Sequence, residues 1–290
     1  MGGAAPTVTV VVPASARVGE GPVWDCAADR LHWVDIVAGA VHTSDLRSGE
    51  TVSVVVPTSV GAAVPRRLGG FVAATAEGFA SISEAGELDV RCTILAEGTR
   101  MNDAKCDARG RLWAGSTGTD FALGAGALHV LEPDWSTRVV LEGLTLPNGM
   151  GWSPRGDTFY LIDTIESTLQ AFAFDVEKAR LSEQRLVRRF DPEGGLPDGM
   201  CIDSEGRLWV AMWGAGRLLC LSPSGQELFA VDVPVRQPSA CAFAGPHLTR
   251  LAVTTAREGL DGLTPQAMDG SVLIIDGLPA TGLPTNFFLG

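Results

Sequence analysis

Short apolar runs separated by turn residues recur along the whole chain. Runs such as Val8 to Val12 and Phe159 to Asp163 are bounded by Gly, Pro, Asp or Ser. This pattern is typical of an all-β fold. Asp175 to Arg185 is the best helical candidate, and its alternatives are a charged loop or the edge of a hairpin. The pattern therefore predicts strands almost throughout.

The apolar runs belong to an internal repeat with six copies. Each copy has a turn, a strand of small apolar residues, a Gly-containing turn and a second strand. Equivalent positions in the second strand are Trp33, Val72, Trp113, Leu161, Trp209 and Ala252. They are 39, 41, 48, 48 and 43 residues apart, which is the period of a four-stranded propeller blade. A β-sandwich with regular hairpins could give a similar period, but six recognisable units favour a six-bladed β-propeller.

The two ends of the chain are predicted to close the ring. Val8 to Val12 and Ser271 to Ile275 both have the composition of a strand. If they share a blade, the sheet has no free edge. No linker rich in Pro, Gly or Ser divides the chain. We therefore predict one domain, residues 1–290, and expect a monomer.

Charge and cysteine content narrow the possible partners and the compartment. The chain of 290 residues has 22 basic and 34 acidic side chains, a net charge of −12, and no run of Lys or Arg longer than a pair. This excludes nucleic acid and anionic membrane surfaces as expected partners. No apolar stretch is long enough to span a bilayer, and the N-terminus does not resemble a signal peptide. Six separate cysteines without a C-x-x-C pair indicate reduced thiols, so we expect a cytoplasmic protein.

Polar residues occupy one register position at the start of the repeats. Counting back from the second-strand positions leads to Glu20, Asn102, Asn148, Asp198 and Ser239. All five are predicted at one end of the innermost strands, around the mouth of the central channel. Asn and Asp before Gly are also ordinary turn formers. The shared register across distant blades nevertheless favours a metal site in this channel, because two carboxylates and an amide oxygen suit Ca²⁺, Mg²⁺ or Mn²⁺.

Five motifs resemble those of the SMP-30, gluconolactonase and regucalcin (LRE-like) family. They are Gly19 to Trp24, Arg100 to Asp103, Leu146 to Met150, Pro197 to Asp203 and Thr254 to Gly259. Each motif alone is weak, but their combination in this order is specific and extends over nearly the whole chain. The resemblance implies a six-bladed propeller with one divalent metal at the bottom of a central pocket. It also implies hydrolysis of sugar lactones.

The resemblance assigns expected roles to six residues. It places the metal on Glu20, Asn148 and Asp198, the trio that the register count also finds, and the sugar lactone on Arg100, Asn102 and Asp120. Asp120 lies in a segment whose length and character differ from better-known members. A surface salt bridge for Arg100 and an exposed loop position for Asp120 are the plain structural alternatives. Ca²⁺ is the first expectation for the metal, and Zn²⁺, Mn²⁺ and Fe²⁺ remain open.

Lactone opening builds negative charge on a carbonyl oxygen, which a divalent cation can stabilise. Asp198 is the expected general base for the attacking water, and Trp213 is a candidate wall of the pocket. No G-x-S-x-G elbow is present, and the four histidines lie outside the channel register. The alternatives are hydrolysis of another ester or a phosphotriester in the same pocket, and a calcium-binding or scaffold propeller without catalysis.

Overall fold

The computed structural model describes residues 5–264 and 266–290. These residues form 24 strands and a 3-10 turn, Pro192–Gly194, and the strands make six antiparallel sheets of four strands each. Blade 1 contains β2 (Gly19–Asp25), β3 (Arg30–Asp35), β4 (Ala40–Ser44) and β5 (Thr51–Val55). Blade 2 contains β6 (Val60–Pro65), β7 (Phe71–Thr75), β8 (Gly78–Ile82) and β9 (Leu88–Thr93). Blade 3 contains β10 (Thr99–Cys106), β11 (Leu112–Gly118), β12 (Gly126–Leu131) and β13 (Thr137–Leu144).

The remaining blades complete the ring. Blade 4 contains β14 (Pro147–Trp152), β15 (Thr158–Asp163), β16 (Thr168–Asp175) and β17 (Arg180–Arg189). Blade 5 contains β18 (Leu196–Ile202), β19 (Leu208–Trp213), β20 (Arg217–Leu221) and β21 (Glu227–Asp232). Blade 6 contains β22 (Pro238–Ala244), β23 (Arg250–Thr255), β24 (Val272–Asp276) and β1 (Thr7–Val12).

Both ends of the chain share the last blade. β1 pairs antiparallel with β24, so the N-terminal strand is the outermost strand of a sheet whose other three strands come from the C-terminal part. This pairing confirms the predicted closure. Because the ring is closed by backbone hydrogen bonds, separation of the first and last blades requires the loss of a whole strand pair.

The six-bladed β-propeller predicted from the repeat is confirmed. All six repeat positions lie on the second strand of a blade and are buried: Trp33, Val72, Trp113, Leu161, Trp209 and Ala252. The helical candidate at 175–185 is wrong, and its hairpin alternative is right, because β16 ends at Asp175 and β17 begins at Arg180. β17 is the outermost strand of its blade and largely exposed, so it lacks the apolar alternation that identifies a half-buried strand. Within the described residues, no helix has the length and apolar character that a membrane crossing needs.

A repeated Asp, Arg and Trp cluster stabilises the inner strand pair of two blades. In blade 5 the Asp203 carboxylate accepts hydrogen bonds from Arg207 Nε at 2.6 Å and from Trp209 Nε1 at 2.9 Å. The same contacts join Asp107, Arg111 and Trp113 in blade 3. Both carboxylates are completely buried. These acids are therefore part of the core and not of the channel site.

The C-terminal segment closes the end of the channel where the innermost strands finish. Gly282 bridges to Asp203 in blade 5, and Phe288 bridges to Arg66 in blade 2 and is completely buried. A cavity of about 330 Å³ beneath this segment is lined by Lys105, Cys201 and residues 283–286, among others. The site residues lie at the other end of the channel, its mouth, where the innermost strands begin.

Candidate metal centre and active site

A β-bulge near the start of each innermost strand brings the channel residues together. In β14 the ladder pairs Pro147 and then Met150, so Asn148 is left out of the register. In β18 the same interruption falls between Pro197 and Met200 and leaves out Asp198. Comparable shifts interrupt the other four innermost strands. Bulges turn a strand locally and re-aim side chains. They leave Asn102, Asn148 and Asp198 outside the regular alternation, and Glu20 directly precedes the interruption in β2. The residue left out in blade 2 is Gly61, which has no side chain.

Glycine lets the innermost strands approach each other at this level. A Cβ atom on Gly149 would lie 2.6 Å from the carbonyl oxygen of Asp198 and 2.6 Å from the amide nitrogen of Met200. Real Cβ atoms do not come so close to backbone. The glycine that follows Asn148 therefore serves the contact between blades 4 and 5, and this contact places the side chains of Asn148 and Asp198 side by side.

Glu20 and Asp198 are buried carboxylates in the same electrostatic environment. Each is 5% exposed. Burial raises the pKa of Glu20 well above its usual value, and the nearby charges of Asp198 and Asp103 raise it further. Burial also raises the pKa of Asp198 well above its usual value, as does Asp103, against the opposing effects of Asn148 and Arg100. Two buried acids that repel each other form a site that gains strongly from a bound cation.

The hydrogen bonds of the Asn148 side chain are compatible with a bound cation. Its Nδ2 donates to Thr164 Oγ1 at 3.1 Å and to Asp198 Oδ1. Its Oδ1 is buried and has no hydrogen-bond partner among residues 5–264 and 266–290. A buried carbonyl oxygen without a partner is costly, and an amide oxygen beside two carboxylates is a suitable ligand for a hard divalent cation.

Arg100 and Asn102 lie together beside the carboxylates. Arg100 Nη1 donates to Asn102 Oδ1 at 2.8 Å and to the carbonyl oxygen of Met101 at 3.0 Å. Asn102 Nδ2 donates to the carbonyl oxygen of Pro147 at 3.1 Å and so connects blade 3 to blade 4. Burial lowers the pKa of Arg100 below its usual value, against the opposing effect of the nearby charges of Glu20 and Asp198. Arg100 therefore faces the acidic centre, and the surface salt bridge considered for it is wrong.

Asp103 also lies beside these carboxylates, although the sequence pattern assigned it no role. It is 7% exposed and lies in the bulge of β10 beside Asn102. Burial raises the pKa of its carboxyl, against the opposing effects of Lys105 and the Ala104 amide. Its position in the Arg100 to Asp103 motif was the available signal. Only the bulge shows that two consecutive residues, Asn102 and Asp103, are both free of the ladder.

Three other candidates have different surroundings. Asp120 is exposed in the 119–125 loop, where its carboxylate accepts the Ala122 amide at 3.1 Å. Trp213 is half-buried at the end of β19, opposite Leu196. Ser239 donates its hydroxyl to the Gly19 carbonyl, so this side chain joins blade 6 to blade 1. The substrate role of Asp120 and the wall role of Trp213 stay predictions.

Three of the four histidines make hydrogen bonds within their own blades. His32, His42 and His129 each bond to a hydroxyl group on the neighbouring strand of their own blade. Among residues 5–264 and 266–290, no three His, Cys, Asp or Glu side chains are grouped closely enough to hold a metal. The set of two carboxylates and one amide is thus the strongest candidate in this part of the chain.

Known proteins are similar to this chain over nearly its whole length. The model of the SMP-30/gluconolactonase/LRE-like region matches residues 18–257. Regucalcin from Bos taurus is 34% identical over 294 residues, which cover 98% of this chain and 98% of that protein. A solved luciferin-regenerating enzyme is 27% identical with a TM-score of 0.90, covering 99% of this chain and 100% of that one. The crystal structure of a calcium-binding protein, regucalcin, from Agrobacterium tumefaciens is 26% identical with a TM-score of 0.89, covering 96% of each chain.

Proposed function

This chain belongs to the SMP-30/gluconolactonase/LRE-like family, and from that premise we propose that it is a divalent-cation-dependent sugar lactonase. Its substrate would be an aldonolactone similar to gluconolactone, and its product the aldonic acid. The observation that carries the proposal is the unpartnered Oδ1 of Asn148, buried beside the Asp198 carboxylate. Family membership supports the lactone as the substrate class.

Glu20, Asn148 and Asp198 would hold the cation. Ca²⁺ is our first choice, because these are oxygen ligands and one solved relative is described as a calcium-binding protein. Zn²⁺, Mn²⁺ and Fe²⁺ are the other ions to test. When bound, the cation would act as a Lewis acid toward the lactone carbonyl oxygen.

Asp198 is the proposed general base. Its carboxyl group is buried at the channel mouth beside Asn148, and a carboxylate held beside the attacking water can accept its proton. The water oxygen bonds to the carbonyl carbon, and Asp198 takes one of the water protons. The ring C–O bond then breaks, and this proton passes to the leaving alkoxide.

Arg100 and Asn102 are proposed to orient the substrate. Their mutual hydrogen bond and the contact of Asn102 with blade 4 hold both side chains in place beside the acids. Fixed donors discriminate between sugars because an unmatched hydroxyl leaves a buried polar group unpaired. Asp120 is the third proposed substrate contact, from the exposed 119–125 loop.

A calcium-binding propeller without catalysis is the second candidate. It is favoured by the same set of buried oxygen ligands, which can hold an ion whether or not a lactone is turned over. The description of the Agrobacterium tumefaciens relative as a calcium-binding protein also favours it. Hydrolysis of another ester or a phosphotriester would use the same pocket and forms a further arm of the test.

The test measures acid release from a panel of sugar lactones, a carboxylic ester and a phosphotriester. Metal-stripped protein is assayed with and without Ca²⁺, Mn²⁺, Zn²⁺ and Fe²⁺, and the uncatalysed rate is subtracted. We expect lactone hydrolysis that returns with a cation and falls about 10²–10⁴-fold in Asp198→Asn, the usual contribution of a general base. Cation binding without turnover of any substrate would refute the lactonase and support the calcium-binding propeller.

The proposed setting is a reducing compartment, the cytoplasm, and the proposed state is a monomer. All six cysteines are free thiols, and Cys106, Cys201, Cys220 and Cys241 are buried. The expectation of a monomer rests on the closure of the ring by β1 and β24 within one chain, so that no blade needs a strand from a second copy. Gel filtration with light scattering would test the monomer.

A further inference from the structure

A single hydroxyl connects the Asn148 amide to the next blade. Thr164 follows the last residue of β15 in blade 4 and is 5% exposed. Its Oγ1 donates to the carbonyl oxygen of Pro197 in blade 5 at 2.8 Å. The same oxygen lies 3.1 Å from Asn148 Nδ2. Thr164 thus contacts one proposed ligand and the residue before another, Asp198.

The proton of this hydroxyl decides which way the amide faces. A threonine hydroxyl has one proton, and here the Pro197 carbonyl accepts it. Toward Asn148, Thr164 can therefore act only as an acceptor, so the atom that faces it must be the Nδ2 donor. The Asp198 carboxylate accepts the second Nδ2 proton, and the amide oxygen is left pointing away from both partners.

We propose that Thr164 is a positioning residue that orients the Asn148 amide so that Oδ1, and not Nδ2, faces the cation. The inference rests on the proposed function, because it concerns the same cation site. Reversal of the amide would bring two N–H groups toward a positive ion. Groups that orient a metal ligand in this way commonly contribute about 10–100-fold to metal affinity.

Thr117 provides a matched control within the same fold. It lies in β11 of blade 3, is completely buried, and donates to the carbonyl oxygen of Thr145 at 2.8 Å. It therefore makes the same kind of bridge, from one blade to the backbone that leads into the next. Among the hydrogen bonds of the described residues, its hydroxyl accepts none from an amide side chain.

The first experiment measures Ca²⁺ and Mn²⁺ affinity by isothermal titration calorimetry on metal-stripped full-length protein. Thr164→Val keeps the shape of the side chain and removes the acceptor, and we expect affinity about 10–100-fold weaker. Thr164→Ser keeps the hydroxyl and should bind like the wild type. Thr117→Val should also bind like the wild type, although it loses a comparable bridge.

The second experiment places Thr164→Val in an Asn148→Asp background. A carboxylate has oxygen on both sides, so its orientation carries no information and Thr164 has nothing to select. In this background Thr164→Val should change affinity by less than about 3-fold. A role confined to blade packing would give the same loss in both backgrounds, so the double-mutant cycle separates the two roles.

The outcomes also separate this inference from the proposed function. Equal affinity of wild type and Thr164→Val, or an equal loss in Thr117→Val, would overturn the positioning role and leave the lactonase proposal standing. A wild type that binds none of the cations would overturn both. Should Thr164→Val fold poorly by thermal unfolding, the comparison of Thr164→Ser with Thr164→Ala in both Asn148 backgrounds decides the same question.

Discussion

Replacement of Glu20 by Gln should stabilise the metal-free protein and remove most of the stabilisation that a cation gives the wild type. Without a cation, burial and two neighbouring carboxylates raise the pKa of Glu20 well above its usual value. Gln removes the charge, and its amide oxygen can still accept the Gly21 amide that Glu20 Oε2 accepts at 2.8 Å. With a cation present, Gln lacks the negative charge of the ligand.

The size of the effect follows from chain length and burial. Relief of one unfavourable buried group amounts to about 1–3 kcal/mol. An unfolding entropy of about 2.1 cal/mol/K per residue over 290 residues makes each ~1 kcal/mol equal to ~1.6 °C in Tm. Metal-free Glu20→Gln should therefore melt ~2–5 °C above metal-free wild type at pH 8. A cation at ~100 times its Kd adds about 2.7 kcal/mol to the wild type, or ~4 °C, and should add little to the variant.

The pH dependence of Tm independently tests whether the metal-free Glu20→Gln variant is more stable than the wild type. A carboxyl whose pKa is higher in the folded than in the unfolded protein stabilises the fold only while it is protonated. Its contribution is present below the unfolded value of about 4.3 and is lost as pH rises through the folded value. The advantage of metal-free Glu20→Gln should therefore disappear near pH 4.

Differential scanning calorimetry in chelator and in excess Ca²⁺ makes the measurement. Asp107→Asn is the control, because its buried carboxylate accepts Arg111 Nε and Trp113 Nε1 in the core of blade 3 and is not part of the channel site. It should lower Tm equally in both conditions. A metal-free Glu20→Gln that melts below the wild type, or one that gains as much from Ca²⁺, would refute the electrostatic interpretation.

Two further predictions concern protons and the core. Cation binding should release protons and weaken on acidification, because burial raises the pKa of both Glu20 and Asp198 and the cation competes with their protons. Titration calorimetry in buffers of different ionisation enthalpy measures the number of protons released. An absence of proton release would contradict this prediction. Asp203→Asn should cost about 3–5 kcal/mol, with or without a cation, because it breaks the buried pair with Arg207 and turns N–H groups toward other donors. Urea unfolding measures the loss, and a change below about 1 kcal/mol would contradict the role assigned to the cluster.

The repeat and the residue types at the channel mouth could be read directly from the chain. Trp33, Trp113 and Trp209 recur in alternate blades, at about twice the blade period, because the second strand of each blade buries a side chain at this position. Glu20, Asn148 and Asp198 lie at equivalent positions of the repeat, and the repeated blades place equivalent positions at the same end of the channel. Repeat period and residue type can be read along the chain, so they predicted the six blades and the trio without knowledge of any distance between atoms.

The hydrogen bonds between blades could not be predicted in this way. The partners Thr164 and Pro197 are 33 residues apart, and Ser239 and Gly19 are 220 residues apart. Ser239 shares the register of the trio, yet its hydroxyl is used to join two blades. Asp103 follows Asn102 directly and would face the opposite side in a regular strand, but a bulge frees both. Which oxygen remains unpartnered depends on how many donors meet at one point in space, and only the tertiary structure decides that.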